Sequence, residues 1–307
     1  MRDGKKKKLR IGTRDSALAM IQAKRVESLL KKAYPQLELV LVPIKTTGDI
    51  DLVSPLHSIG GKGVFIKELE FALLEKKIDL AVHSLKDVTS TLISGLHIPI
   101  FLPAEARRDA VILNGYKNFS DLPQNAVIAT SSFRRKALLK KLYPHLKTAE
   151  IRGNVLSRID KLKEHGYAAL MLSEAGLLRL GLQDKIALCF DPHVFIPAPG
   201  QGVIAVELRI DDHESFAYAK VLNDPDQSFI GECENNFLQI VGFDCSLPLG
   251  LYSTVDATTF ESHCFLANNQ MQDFFERRFS CPRDEAKTKI RELAHSCKEW
   301  MDSQYRT

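Results

Sequence analysis

The sequence predicts an α/β fold, with two α/β domains and a small C-terminal α+β domain. Short apolar runs typical of strands alternate with helical runs through the first two thirds of the chain. Segments that contain proline interrupt this alternation twice. After about Asp224 the pattern changes to one helix, three strands and a closing helix. A chain of 307 residues is long enough for two or three domains with their own cores.

The first two thirds of the chain consist of repeated strand and helix units. The run "KLRIGT" predicts a strand and "SALAMIQAKRVESLLKKAYP" a helix, with Ser16 as its N-cap and Pro35 after its end. The strand "LELVLVPIKT", the helix "GVFIKELEFALLEKK" and the buried strand "IDLAVHSL" follow. Three later segments each predict a strand, a turn and a helix: "AVIATSSFRRKALLKKLY", "TAEIRGNVLSRIDKLKEHG" and "AALMLSEAGLLRLG". This repetition predicts parallel sheets with helices on both faces.

Two interruptions divide the chain into domains. "IFLPAEARRDA" (100–110) and "FIPAPGQG" (195–202) fit no strand and helix unit, so we expect the chain to leave the first domain near Pro103 and return near Pro199. The helix "DQSFIGECENNFLQIV", three strands between about Leu247 and Phe279, and a helix from about Arg283 predict the last domain. The expected domains are residues 1–102 with 200–221, residues 105–197, and residues 224–307.

Composition excludes several classes of protein. The formal charge of +4 is too small to indicate nucleic-acid binding, and the basic start "MRDGKKKKLR" is expected to be a solvated tail. No export signal follows those lysines, and no apolar run reaches the roughly 18 residues of a membrane span. We therefore expect a cytoplasmic protein without disulfides. None of the six cysteines has the spacing of a zinc site, so no metal is expected.

Hydroxyl groups and cations recur in four turns that follow predicted strands. Ser and Thr at helix starts are also ordinary caps, so each hydroxyl alone has a structural explanation. Arg134 and Arg135 fall in the first turn of a helix, where the macrodipole disfavours positive charge unless an anion neutralises it. Arginine binds carboxylate or phosphate in a bidentate manner. The turns therefore predict a site for a ligand with several anionic groups; they are Thr13 to Ser16, His83 to Asp87, Thr130 to Arg135, and Arg152 to Asn154.

The pattern favours a polycarboxylate over a nucleotide. There is no phosphate-binding G-x-x-x-x-G-K-[ST] motif, and "GQGVIA" follows "IPAP" rather than the strand that a dinucleotide fingerprint requires. The glycines of "GGKGVF" suit a mobile loop that carries Lys62 and Phe65 over a cleft. Asp87 follows Lys86 at the mouth of a buried strand, and it is either a functional acid or the cap of the next segment.

Cys245, in "VGFDCSLPLG", has five possible roles. It could pack in the core, form a disulfide, bind a metal, act as a nucleophile or serve as an attachment point. The lack of cysteine pairs and of an export signal makes the disulfide and metal roles less favoured. The residues alone do not decide among the others.

Six motifs follow one another along the chain: "GGKGVFIKELE", "HSLKDV", "ATSSFRRKALL", "IRGNVLSRIDKL", "AGLLRLG" and "APGQGVIAVE". In this order they resemble the porphobilinogen deaminase (hydroxymethylbilane synthase) family. The resemblance extends from about Leu9 to Gly250 and implies two domains similar to type II periplasmic binding proteins, with the active site in the cleft between them. It implies that four porphobilinogen molecules are joined head to tail, with loss of ammonia, into 1-hydroxymethylbilane. The growing oligopyrrole chain starts from a dipyrromethane primer held by a thioether to a cysteine, which "CSLPLG" matches at Cys245.

The resemblance also assigns roles to individual residues. It implies that Asp87, with Lys86, is the catalytic acid and stabilises a cation. We expect a monomer that binds neither nucleic acid nor membranes. The residues implied to bind the cofactor are Cys245, Ser84, Lys86, Asp87, Thr130, Ser131, Ser132, Arg134, Arg135, Arg152, Gly153 and Asn154. Those expected to bind substrate are Arg14, Ser16, Lys62, Phe65, Arg152, Arg158 and Gln201.

The chain departs from the family pattern at four positions. Phe243 and Asp244 replace two glycines before the cysteine, Asn235 replaces an arginine, and Thr89 replaces a proline after the catalytic Asp. We expect these changes to alter how the primer is held more than the reaction. Two alternatives remain: a polycarboxylate-binding or sensor protein without turnover, and a degenerate deaminase that has lost its primer.

Overall fold

A computed structural model describes residues 8–47, 66–242 and 247–304. The chain falls into two compact units. Unit 1 contains the described residues of Met1–Glu105 together with Val203–Phe229. Unit 2 contains Ala106–Gly202 and the described residues of Ile230–Thr307. The expected three-domain division is finer than these two units and stays a prediction.

Strands and helices alternate through most of the described residues. The strands are β1 (Lys8–Arg14), β2 (Glu38–Ile44), β3 (Leu80–Ser84), β4 (Leu96–Phe101), β5 (Asp109–Leu113), β6 (Val127–Ala129), β7 (Lys147–Ala149), β8 (Ala169–Ser173), β9 (Leu188–Cys189), β10 (Ile204–Arg209), β11 (Leu249–Val255), β12 (Thr259–Ala267) and β13 (Phe274–Pro282). The α-helices are α1 (Ala17–Ala33), α2 (Lys67–Leu74), α3 (Phe133–Leu142), α4 (Val155–Glu164), α5 (Glu174–Arg179), α6 (His213–Ala219), α7 (Pro225–Val241) and α8 (Ala286–Gln304).

Each unit contains a five-stranded mixed sheet. In unit 1 the strand order is β2-β1-β3-β10-β4, with β1 parallel to β2 and β3, and with β10 antiparallel to both of its neighbours. In unit 2 the order is β7-β6-β8-β5-β9, with β6 parallel to β7 and β8, and with β5 antiparallel to both of its neighbours. The expectation of purely parallel sheets is therefore wrong by one strand in each unit.

Each antiparallel strand is the first strand that follows a passage of the chain from one unit to the other. The chain passes from unit 1 to unit 2 after Glu105 and returns after Gly202. The first strand after each passage, β5 or β10, inserts between two strands of the sheet and runs against them. Hydrophobic patterning does not specify strand direction, so the sequence could not reveal this. The two sheets thus share one topology, and the fold is of the type II periplasmic-binding-protein kind that the resemblance implied.

Apolar residues on both faces of the first sheet explain why helices cover both sides. Val26 and Leu30 of α1 pack with Leu80 of β3 on one face. The adjacent residue of β3, Ala81, belongs to the cluster on the other face, which includes Leu69 of α2. Successive side chains of a strand point to opposite faces, so Leu80 and Ala81 of β3 are buried against different helices. Burying a leucine side chain fully contributes about 1.5 to 3 kcal/mol.

The C-terminal residues form a small α+β layer within unit 2. Strands β11, β12 and β13 make an antiparallel sheet, as the alternating sequence predicts. Phe265 and Ala267 of β12 share a core with Leu138 of α3, so this sheet packs on the second α/β layer. Among the described residues, no helix is long and apolar enough to cross a membrane.

Candidate active site

A pocket in unit 1 lies at the carboxyl ends of β1 and β3. Five of the residues around it lie in turns predicted from sequence: Arg14, Ser16, His83, Ser84 and Asp87. Carboxyl ends of parallel strands meet at one edge of a sheet, where α/β proteins bind ligands. The fold thus brings together two turns that are about seventy residues apart in the chain. The full lining is Arg14, Ser16, Leu18, Ala19, Gln22, Ile66, Val82, His83, Ser84 and Asp87.

The first turn of the pocket is fixed by the start of α1. Ser16 is the N-cap, as predicted, and its Oγ accepts a hydrogen bond of 3.3 Å from the backbone N–H of Ala19. Thr13 is fully buried, and its Oγ1 donates to the backbone oxygen of Ala19 at 3.1 Å. These bonds hold Arg14, the last residue of β1, beside the pocket.

The second turn presents Asp87 to the pocket from a single turn of 3-10 helix, Leu85–Asp87. Leu85 N–H donates to the backbone oxygen of Val203 at 3.0 Å, and Val88 N–H donates to that of Leu85 at 3.0 Å. The next regular element is β4, which begins at Leu96, so Asp87 does not cap a helix. Its half-buried carboxyl group therefore lies where it can meet a ligand.

Gln22 belongs to this pocket, although sequence reasoning missed it. Its side chain is on the buried face of α1 and is only 2% exposed. Its Nε2 donates a hydrogen bond of 2.8 Å to the Oγ of Ser84. A glutamine between the buried residues Ala19 and Ala23 was the available signal, because buried polar side chains are usually hydrogen-bonded.

In unit 2, the hydroxyl groups after β6 hold neighbouring turns together. Ser131 Oγ donates to the backbone oxygen of Ile151 at 2.6 Å and accepts from its N–H at 3.1 Å. Thr130 Oγ1 accepts from the N–H of Ser132 at 3.3 Å. Ser132 caps α3 by accepting from the N–H of Arg135. The predicted turns at 130–135 and 152–154 are therefore adjacent in the fold.

A tight turn precedes α4 and gathers cationic side chains. Gly153 has a φ of +115°, and a Cβ atom there would lie 2.2 Å from the Oγ of Ser157. Arg158 Nε donates to the backbone oxygen of Gly153 at 2.6 Å, and Asn154 caps α4. Arg152 is half-buried beside this turn. The start of α4 therefore combines its own positive end with nearby arginines, an arrangement suited to binding anions.

Arg134 and Arg135 have an anion of their own in the protein, namely Asp109. The side chains of all three are buried, and Asp109 receives hydrogen bonds of 2.6 Å from Arg134 Nη1 and 2.7 Å from Arg135 Nη2. Burial alone would raise the pKa of Asp109, but the two guanidinium groups outweigh burial and hold that pKa well below its usual range. The protein itself thus supplies an anion at the start of this helix, and contact of the two arginines with a ligand stays a prediction.

Gln201 also has internal partners where contact with substrate was expected. It is fully buried, and its Nε2 donates to the backbone oxygens of Arg107 and Arg108 at 2.8 and 3.2 Å and to Asp109 Oδ1 at 3.1 Å. It therefore ties the two segments that lead into and out of unit 2. These contacts support the arginine cluster, and the expected contact of Gln201 with substrate stays a prediction.

Three predicted site residues lie outside the described residues: Lys62, Phe65 and Cys245. The substitutions Phe243 and Asp244 do so as well. Cys245 falls in the segment between the end of α7 at Val241 and the start of β11 at Leu249.

The described cysteines are poorly suited to nucleophilic attack. Burial raises the pKa of Cys233 to about 12 and that of Cys189 to about 11. It also raises the pKa values of Cys264 and Cys281. Since the thiolate is the reactive form, these four thiols are inert at neutral pH. Cys297 is fully buried.

The structure describes the other two departures from the family pattern, Asn235 and Thr89. Asn235 is exposed on α7. Thr89 Oγ1 donates to the backbone oxygen of Thr91 at 2.7 Å, which provides a local turn after Asp87. Neither residue distorts the elements that carry the pocket.

The fold and these turns define an α/β protein whose two units each present hydroxyl groups, helix starts and arginines suited to an anionic ligand. Residues 9–217 match the family model described as porphobilinogen deaminase, dipyromethane cofactor binding domain. The porphobilinogen deaminase of Syntrophomonas wolfei is 41% identical over 290 residues, 94% of this chain and 94% of that protein. That of Chlorobium limicola is 39% identical over 263 residues, 86% of this chain and 84% of that protein. The chain belongs to the porphobilinogen deaminase family.

Among solved structures, the methionine-binding protein MetQ is 14% identical to this chain, with a TM-score of 0.47 over 75% of this chain and 95% of that chain. The sequence relatives cover most of this chain and most of their own lengths. The family assignment therefore applies to the chain as a whole, and the protein is an enzyme of this family.

Proposed function

We propose that this protein joins four porphobilinogen molecules head to tail, with loss of one ammonia for each, and releases 1-hydroxymethylbilane by addition of one water molecule. The observation that carries the proposal is the pocket of unit 1, where the carboxyl group of Asp87 lies with Arg14, Ser16 and Ser84 in a chain of this family. A carboxyl group beside cation and hydroxyl ligands for carboxylates suits a substrate that has an amine and two acid side chains.

Arginines and hydroxyl groups bind the substrate's carboxylates in this proposal. Each porphobilinogen has an acetate and a propionate, so the ligand gains two negative charges with each addition. Arg14 and Ser16 in unit 1, and Arg152 and Arg158 in unit 2, supply charged and neutral donors. Arginine can bind a carboxylate through two parallel hydrogen bonds, which fixes orientation as well as affinity. Lys62, Phe65 and Gln201 add to this set.

Asp87 performs the acid chemistry in this proposal. Its carboxyl group transfers a proton to the departing amine of the substrate. The resulting carboxylate then stabilises the positive charge left on the substrate carbon, with Lys86 next to it in the chain. A positioned carboxyl group is suited to both tasks, and electrostatic stabilisation of the developing charge contributes a large part of the rate.

The arginines, hydroxyl groups and helix starts described above fit a dipyrromethane cofactor, because that cofactor also has acetate and propionate side chains. When bound through a thioether to Cys245, this group supplies the pyrrole carbon to which the first substrate is joined. The capped starts of α3 and α4 offer N–H groups and hydroxyls for its carboxylates. The buried cluster of Arg134, Arg135 and Asp109 keeps one net positive charge, from two cations and one anion. The proposed cofactor-binding residues are Ser84, Lys86, Asp87, Thr130, Ser131, Ser132, Arg134, Arg135, Arg152, Gly153, Asn154 and Cys245.

We further propose a cytoplasmic monomer that binds neither nucleic acid nor membranes. The small formal charge of +4 supports the proposal that the protein does not bind nucleic acid. The three-domain division stated above completes this proposal.

Product stoichiometry tests the proposed reaction. Purified protein is incubated with porphobilinogen, and both 1-hydroxymethylbilane and ammonia are measured. We expect one product molecule and four ammonia molecules for every four substrate molecules consumed. Saturable binding of porphobilinogen without release of ammonia would contradict the proposal and favour a binding protein or sensor.

A further inference from the structure

A buried histidine and a buried glutamate adjoin the pocket, and the proposed chemistry uses neither. His83 Nε2 and Glu207 Oε2 are 2.8 Å apart, with side chains 3% and 1% exposed. His83 lines the pocket, directly precedes Ser84, and lies four positions before Asp87. Burying two such groups is costly unless they are paired, so the pair requires an explanation.

The pair joins the strand that carries Asp87 to the strand inserted beside it. In the register of β3 and β10, His83 lies opposite Ala205 and Ala81 lies opposite Glu207, so the two side chains are diagonal neighbours. The pairing of β10 with β4 shifts register between Val206 and Leu208, at Glu207 itself. Irregularities of this kind re-aim a side chain, and they occur next to active sites.

The polypeptide between His83 and Asp87 is short and depends on the same strand. After Ser84, the N–H of Leu85 donates to the backbone oxygen of Val203, just before β10. The single 3-10 turn Leu85–Asp87 then places Asp87 in the pocket. A shift of β3 against β10 would therefore move Ser84 and Asp87 together.

Within the described residues, His83 provides the side-chain partner of Glu207. Glu207 Oε1 is buried and has no hydrogen-bond partner there. Glu70 of α2 is also buried; burial raises its pKa, and the carboxyl group of Glu207 raises it further. Glu207 is therefore a buried acid near another acid and near the His97 imidazole, and His83 is the side chain that bonds to it.

We propose that His83 is a positioning residue for the polymerisation: paired with Glu207, it fixes the end of β3 and thereby the position of Ser84 and Asp87. This inference rests on the proposed function, because it assumes that Asp87 performs the chemistry. A displacement of about 1 Å at a reacting group costs about 100-fold in rate, so a pair that aligns the strand end can have a large effect without touching substrate.

Two amide variants test whether the ε nitrogen is what matters. Glutamine at position 83 offers an N–H near the place of the histidine Nε2, whereas asparagine holds its amide too close to the backbone to reach Glu207. We expect His83→Gln to keep kcat within about threefold of wild type, and His83→Asn to lose about 10- to 100-fold in kcat with KM nearly unchanged. Equal kcat values for the two variants would overturn the proposal.

A double variant separates positioning from stability. Replacing both partners by apolar residues can leave stability nearly unchanged, so His83→Leu/Glu207→Leu is expected to fold and to carry its cofactor, as measured by thermal unfolding and intact mass. We expect its kcat to fall like that of His83→Asn. Wild-type kcat in this folded, loaded protein would show that the pair is structural only and would overturn the proposal.

The chain supplies a matched control in unit 2. His263 Nε2 and Glu276 Oε1 form a second histidine–glutamate pair at 3.0 Å, between β12 and β13. We expect His263→Leu/Glu276→Leu to leave kcat unchanged in the cofactor-loaded fraction.

Hydrogen–deuterium exchange gives a readout that does not depend on activity. We expect the amides of Leu85 and Val88 to exchange faster in His83→Asn and in the His83/Glu207 double variant, but not in His83→Gln or the unit 2 control. Unchanged exchange in the first two variants would overturn the positioning role. If the wild-type protein releases no ammonia from porphobilinogen, the proposed function is contradicted. Faster exchange in the first two variants would then still support the positioning role of His83.

Discussion

Asp109 accepts a hydrogen bond of 2.6 Å from Arg134 in the interior of unit 2, where neither side chain is more than 4% exposed. Arg135 binds the same carboxylate. A cluster of this kind is expensive to disrupt, because removing one partner leaves buried charge uncompensated. The arginines of the predicted cofactor site are thus held in place by the protein itself.

We expect Asp109→Asn to lower the free energy of unfolding at pH 7 by about 3 to 5 kcal/mol, because two guanidinium groups then lack their counter-ion. Urea unfolding followed by circular dichroism measures the loss. In Asp109→Asn/Arg134→Met one buried cation is also removed, so part of the stability should return. A single variant as stable as wild type would contradict the account of this cluster.

The carboxyl group of Asp109 should also make the free energy of unfolding depend on pH in the acid range. The arginines hold the pKa of Asp109 below its usual range, so its contribution is fully present above the ordinary Asp pKa of about 3.9 and is lost as the pH falls below it. We expect the free energy of unfolding of wild type to fall more steeply below that pH than that of Asp109→Asn. Parallel curves for the two proteins in acid would contradict this.

Asp87 is expected to act in the chemical step. Asp87→Asn keeps the size of the side chain but removes the acid, and it should lower kcat at least about 100-fold. Asp87→Glu should retain more activity, because the carboxyl group survives about one methylene out of place. Single-turnover measurements on cofactor-loaded protein should locate the defect in elongation rather than in substrate capture. Elongation by Asp87→Asn within about tenfold of wild type would assign the chemistry to another group.

Arg152 is expected to bind carboxylates at the start of α4. Arg152→Leu should cost about 1.5 to 3 kcal/mol for each charged hydrogen bond lost, seen as weaker substrate binding or incomplete cofactor loading, with folding largely kept. Lys32, exposed in the last turn of α1, is the control cation, and its replacement by Leu should have no comparable effect. Wild-type loading and elongation by Arg152→Leu would make this turn structural.

Gly153 is expected to tolerate no side chain. At φ +115°, with the Oγ of Ser157 2.2 Å from the place of a Cβ, Gly153→Ala should destabilise the start of α4 by about 1 to 3 kcal/mol and displace Arg152. Thermal unfolding and cofactor loading report the two effects. Gly166, with a φ of +63° and open space at its Cβ, is the control: Gly166→Ala should change stability less and loading not at all. Equal behaviour of the two alanine variants would contradict the close contact at Gly153.

The sequence predicted the elements and turns of the fold better than the partners of buried side chains. Ser16 was predicted as a cap and is one, because capping depends on a few consecutive residues. The antiparallel β5 and β10 were not foreseen, because strand direction depends on where the chain crosses between units. The C-terminal sheet followed from simple alternation of polar and apolar residues.

Among the site residues, the pocket around Asp87 follows from motifs next to strand ends, whereas the contacts of Arg134 and Gln201 with Asp109 required three-dimensional information. Asp109, their common partner, is distant in sequence from both, and no motif around it indicated a buried ion pair. Gln22 and Glu207 were missed because each is a polar residue in an apolar run whose partner lies more than sixty positions away.

The most direct test of the central claim is the intact mass of the purified protein. If Cys245 carries the primer, wild type should be heavier than its sequence by two linked pyrrole units. Cys245→Ser should have the bare sequence mass and form no 1-hydroxymethylbilane, while Cys189→Ser should keep both the added mass and the activity. An unmodified wild-type protein that polymerises porphobilinogen at full rate would contradict the account, and so would a Cys245→Ser variant that retains the added mass.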